Sequence, residues 1–127
     1  MQEIRNNEIT ERAVLVGVIK NLEDEESLDE LEELAATAGA EVVGIVTQRR
    51  GTVHTAHYVG KGKLEELKLF VEDQKVDLVI VDDELTGTQI KNIEDYVNVR
   101  VIDRTSLILD IFARRARTRE SMLQVEL

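Results

Sequence analysis

At 127 residues, 43% of them hydrophobic, the chain has enough apolar material for one globular core and too little for two. The absence of cysteine excludes disulfides, thiolate metal sites and cysteine nucleophiles together, and two histidines leave little for transition-metal chemistry. No apolar run approaches the roughly 18 residues of a membrane helix, and the first residues are mostly polar with no signal-peptide pattern, so a soluble, cytoplasmic protein is expected. A net charge of −10 argues against a nucleic-acid partner for the surface as a whole, but the charge is unevenly spread. Residues 21–41 hold nine acids and no base, and residues 65–99 hold ten acids and three bases. Residues 42–64 carry Arg49, Arg50, Lys61 and Lys63 with no acid, and residues 100–127 carry six arginines against four acids. An acidic flank and a basic end are expected.

In chain order, residues 1–11 read as a flexible segment and residues 12–105 as one α/β domain. Four short β-branched runs mark strands at Ala13 to Val18, Val42 to Thr47, Asp77 to Val81 and Val99 to Ile102. These runs are continuous more than alternating, which suits parallel strands covered on both faces. Between the first two, a helix is predicted from Ser27, with Ser27 and Glu30 as a capping box. Leu28, Leu31, Leu34, Ala35 and Ala38 lie on its inner face, and Gly39 ends it. A second helix is predicted from about Lys63 to Gln74 with Leu64, Leu67, Phe70 and Val71 inward. A third is predicted from Thr86, capped by Gln89, burying Ile90, Ile93 and Val97. Strand and helix in alternation imply right-handed crossovers and a four-stranded, mainly parallel sheet with helices on both faces. From Thr105 or Ser106 a helical pattern runs to Leu127, apolar nearly all round over its first two turns and then thinning to Ala116, Leu123 and Leu127. That spacing suits one strand of a helical hairpin, and residues 106–127 read as its first half, with another copy of the chain as a substitute partner.

Few motifs carry chemistry. Gly60-Lys61-Gly62-Lys63, just before a helix, is a candidate phosphate or carboxylate nest, because glycines let backbone N–H groups face an anion. It is neither a Walker A loop nor Gly-x-Gly-x2-Gly, and the competing reading is a loop with solvated lysines. Asp82-Asp83-Glu84 follows the third strand, where open α/β sheets place ligands, and three acids are weak candidates for Mg²⁺; alternatively one caps the next turn and the others face water. His54 and His57 are either a metal pair without further ligands or ordinary loop residues. Arg114, Arg115, Arg117 and Arg119 would form a basic collar suited to phosphate, or would pair with the molecule's own acids. Arg104 is a candidate partner for Asp82 or Asp83.

Together these stretches resemble the amino-terminal domain of the HflX family of ribosome-associated GTPases over residues 12 to 127. The resemblance is carried by SLDELEELAATA (Ser27 to Ala38), GAEVVGIV (Gly39 to Val46), the Tyr-Val-Gly-Lys-Gly-Lys core, DDELTGTQ from Asp82, and above all VIDRTSLILDIFARRARTRESMLQVEL from Val101. It implies an α/β docking domain followed by a helical hairpin and then a GTPase domain using GTP and magnesium, with the large ribosomal subunit and its rRNA as partner. Subunit dissociation or ribosome rescue under stress is the implied role. Arg49, Arg50, Arg114, Arg115, Arg117 and Arg119 are then the candidate RNA contacts, and no catalytic residue is expected in this chain. Gly87 departs from the family pattern, which generally has proline there. A small-ligand or nucleotide-binding module using the Gly60 to Lys63 loop, and a protein-interaction module using the last helix, are the alternatives.

Overall fold

In the computed structural model, residues 10–49 and 53–113 are described. Their elements run β1 (Arg12–Ile19), α1 (Leu22–Thr37), β2 (Glu41–Arg49), α2 (Lys61–Gln74), β3 (Leu78–Val81), α3 (Gly87–Val97) and β4 (Arg100–Asp103). A helix, α4, follows directly and is described over 104–113. The four strands form one parallel sheet in the order β2-β1-β3-β4, with Leu15 opposite Ile45 and Ile80, and Ile80 opposite Ile102. The expected α/β architecture with helices on both faces is the one found.

The continuous apolar runs are explained by two cores. On one face Val14, Val16, Val79 and Val81 meet Leu64, Leu67 and Val71 of α2 and Ile93 and Val97 of α3. On the other, Ala13, Leu15, Leu78 and Ile80 meet Leu28, Leu31 and Ala35 of α1 and Leu107 of α4. Successive strand residues point to opposite faces, so a strand buried on both must be apolar throughout. Close packing also explains Gly44: a Cβ there would stand 2.3 Å from Cζ of Phe70, so α2 rests directly on the β2 backbone.

Two helix starts differ from expectation. α1 begins at Leu22, and its capping box is Asn21 with Asp24, not Ser27 with Glu30. Asn21 is extended, its Oδ1 accepts the Asp24 N–H at 3.0 Å, and Glu23, Asp24 and Glu25 place negative charge at the positive end of the helix. Ser27 and Glu30 lie inside the helix and turn to Arg104 instead. α2 begins at Lys61 with Gly60 as N-cap, so Gly62 and Lys63 are already helical. The Thr86–Gln89 box of α3 forms as expected. The proposed hairpin positions Ala116, Leu123 and Leu127 lie outside the described residues.

Candidate functional site

The order β2-β1-β3-β4 fixes where a site can form. α1 crosses one face towards β2, whereas α2 and α3 cover the other, so the connections diverge between the carboxyl ends of β1 and β3. Open α/β sheets leave a crevice at such a point. Here it is a cleft of about 250 Å³ lined by Lys20, Asp24, Ser27, Asp82, Asp83, Glu84 and Arg104 among others.

Arg104 fills the back of this cleft. Its Nη1 donates to Asp82 Oδ1 at 2.9 Å, to the Ser27 carbonyl at 3.1 Å and to Ser27 Oγ at 3.0 Å, while Nη2 donates to Glu30 at 3.0 Å. The Asp82 side chain is only 4% exposed and this guanidinium is its partner. Burial works against the charge on Arg104, yet Asp82 and Glu30 outweigh it and hold the guanidinium above its ordinary range. Of the two acids considered for Arg104, it takes Asp82. Asp83 accepts from the Glu84 N–H at 2.9 Å and from the Tyr58 hydroxyl at 3.5 Å. Asp82, Asp83 and Glu84 are thus directed to different partners, and among the described residues no group of three or more His, Asp or Glu side chains is arranged to hold a metal ion.

Tyr58 stands in the sequence only as the first residue of the Tyr-Val-Gly-Lys-Gly-Lys core, with no role of its own. β3 ends opposite Val16, so two residues further along β1 the Val18 N–H lacks a ladder partner on that side, and the Tyr58 hydroxyl accepts it at 3.3 Å. Reaching that position takes a left-handed backbone (φ 69°) at a buried tyrosine. Burial first, then the charge of Asp83, push its phenol well above the ordinary tyrosine range. An aromatic ring with a polar tip beside a glycine-rich turn was a signal, but the backbone conformation was not visible in it.

The loop from β2 to α2 brings several sequence candidates to the same carboxyl edge. His54 and Tyr58 exchange both backbone hydrogen bonds, at 2.8 and 2.9 Å, closing a small hairpin. α3 holds it: Gln89 Nε2 donates to the His54 carbonyl at 3.2 Å and Asn92 Nδ2 to the Ala56 carbonyl at 3.0 Å. The His54 and His57 rings stack, with centroids 4.3 Å apart and planes 20° from parallel. The Gly60 N–H is turned to Gln48 Oε1 at 2.7 Å, so Gly60 does not aim its amide at an anion and the nest is reduced to the first turn of α2. Lys61 is exposed, Lys63 pairs with Glu66 at 3.1 Å, and Arg49 pairs with Glu25 at 2.9 Å. Arg50, Arg114, Arg115, Arg117 and Arg119 lie outside the described residues. No helix among the described residues is long and apolar enough to cross a membrane.

Residues 25–113 match the family described as GTP-binding GTPase N-terminal. The whole chain is 65% identical to part of the GTPase HflX of Caldanaerobacter subterraneus, covering 29% of that protein, and 52% identical to that of Alkalihalophilus pseudofirmus, covering 30%. Against GTPase HflX of Escherichia coli it is 44% identical, with 92% of this chain aligned to 28% of that protein. The chain therefore spans less than a third of the length of these curated relatives. Its fold is that of the crystal structure of SsGBP in complex with GDP (TM-score 0.68, 24% identity, 92% of this chain and 33% of that one). A GTP-binding protein from Sulfolobus solfataricus in complex with GDP is also similar (TM-score 0.58, 23% identity, 82% of this chain and 30% of that one). The α/β domain with its Arg104-centred carboxyl edge belongs to the GTP-binding GTPase N-terminal family and is the amino-terminal domain of the HflX type.

Proposed function

We propose that this domain docks an HflX-type GTPase onto the large ribosomal subunit through rRNA, in the service of subunit dissociation or ribosome rescue in the cytoplasm. GTP and magnesium belong to a GTPase domain of the full-length protein, and this chain supplies no catalytic group. The observation that carries the reading is family membership across the α/β domain. Cations at the carboxyl edge support it. Arg49, at the end of β2, and Lys61 and Lys63, at the start of α2, lie there, Lys61 exposed, Arg49 paired with Glu25 of α1 and Lys63 with Glu66. Arg50 and the arginines from Arg114 to Arg119 extend the set of cations offered to phosphate.

Binding of the full-length protein to large subunits, measured at several salt concentrations, tests this. Each cation that neutralises a phosphate contributes about one unit to the salt slope, so alanine at Arg49, Arg50, Lys61, Lys63, Arg114, Arg115, Arg117 or Arg119 should weaken binding and lower the slope by about that amount. If the arginines pair instead with the protein's own acids, the slope stays unchanged and stability falls by about 0–1 kcal/mol per exposed pair. An unchanged slope in every variant rejects phosphate docking. The cleft of about 250 Å³ at the strand divergence favours a second reading, a small-ligand or nucleotide-binding module. Saturable binding of a nucleotide, weakened by Asp83→Asn, would support it.

A further inference from the structure

We infer that the His54–His57 stack is a platform for one unpaired RNA base, an inference that rests on the rRNA-docking reading. Both rings belong to the loop between β2 and α2, whose position is determined on three sides. The reciprocal His54–Tyr58 backbone pair closes it, Gln89 and Asn92 of α3 hold its carbonyls, and the Ala56 N–H donates to His54 Nδ1 at 3.2 Å. The His54 ring is therefore set in place, stacked on His57 on one side, in an exposed residue. His54 is exposed, His57 is half-buried, and neither ring belongs to the core. A flat, preformed surface of this kind is what an unstacked base needs: RNA is recognised mainly at loops and bulges whose bases stack on aromatic rings, histidine included.

The hydrogen bonds argue against the metal-pair alternative. His54 Nδ1 accepts the Ala56 N–H at 3.2 Å, and His57 Nδ1 lies 3.4 Å from the Val59 carbonyl. Each ring thus has one nitrogen engaged within the loop, and among the described residues no group of three or more His, Asp or Glu side chains is arranged to complete a metal site. The neighbourhood is suited to a nucleotide. Three residues after His57 the chain reaches Gly60, the N-cap of α2, and then Lys61 and Lys63, so cations for the flanking phosphates follow a stacking surface on one loop. Arg49 ends the strand leading into it.

The test uses the full-length protein and a single-stranded hexaribonucleotide carrying 2-aminopurine, whose fluorescence is quenched on stacking, with a blunt RNA duplex of the same length as comparison. Quenching is expected with the single strand and not with the duplex. His54→Ala should weaken single-strand binding about five- to ten-fold, His54→Phe should retain it, and neither should alter the salt slope. Lys61→Ala should lower the slope while leaving the quenching at saturation intact. Equal loss in His54→Ala and His54→Phe, equal binding of duplex, or Zn²⁺ binding that requires both histidines would overturn the platform. Large-subunit binding measured on the same variants separates the two failures. If subunits bind with a normal salt slope but the fluorophore is not quenched, the platform fails and docking stands. If subunits do not bind, docking itself fails.

Discussion

Arg104 and Tyr58 show how single side chains hold the carboxyl edge together. Removing Arg104 leaves Asp82, nearly buried, without its cation, and releases the Ser27 and Glu30 contacts that tie α1 to the start of α4. Arg104→Ala should therefore destabilise the domain by about 2–3 kcal/mol, below the full cost of a buried pair because the arginine side chain is 26% exposed. Urea denaturation measures this, and a loss under about 0.5 kcal/mol would show that water replaces the guanidinium. Tyr58→Phe strands the Val18 N–H and should cost about 1–2 kcal/mol. Its pH dependence has a definite sign. The phenol titrates higher in the folded chain than in the unfolded one, so the folded state holds more protons above about pH 10. The associated stability is present below that pH and is lost as pH rises from the unfolded value towards the folded one. Between pH 9 and pH 11 the wild type should lose more stability than Tyr58→Phe, and parallel curves would contradict the assignment.

The helices show which local signals win. Two capping boxes were available for α1, and the earlier one prevails because Asn21 directly follows the turn after β1 and is followed by three acids. Ser27 and Glu30 have the right spacing, but their tertiary use by Arg104 is invisible to a local rule. Asn21→Ala should cost about 1 kcal/mol, measurable by thermal melting, while Glu30→Gln should cost less. α3 offers the opposite experiment. Thr86, the N-cap, has φ −75° and ψ 160°, as a residue before proline requires, and a Cβ at Gly87 would meet nothing within 4 Å. Gly87→Pro, which restores the residue usual in the family, should raise stability by up to about 1 kcal/mol by restricting the unfolded chain. A lower melting temperature would mean that the Gly87 N–H has a partner.

For the whole molecule, connectivity decides where charge gathers. Arg49, Lys61 and Lys63 emerge at the carboxyl edge together with Asp24, Asp82, Asp83 and Glu84, because every loop that follows a parallel strand must emerge there. This 127-residue chain contains no Walker A sequence, and it should show no micromolar affinity for GTP by calorimetry. Measurable hydrolysis by the chain alone would assign chemistry to the switch-point cleft.

Sheet class, strand number, the inward residues of α1, α2 and α3 and the Thr86–Gln89 cap were legible in the sequence, because hydrophobic period and capping chemistry are local and repeat along the chain. So was Arg104 as a partner for one of two adjacent aspartates. What required tertiary structure were the pairings between residues far apart in the chain: Asp82 over Asp83 as that partner, Ser27 and Glu30 turned to the same guanidinium, and Tyr58 standing in for a missing strand partner of Val18. The His54–His57 stack belongs with these, since two histidines three apart in a loop specify no geometry until Gln89 and Asn92 of α3 hold the loop. Spacing along a chain determines which residues share a face of one element; which elements then face each other depends on the crossovers, and those bring together residues that no local pattern relates.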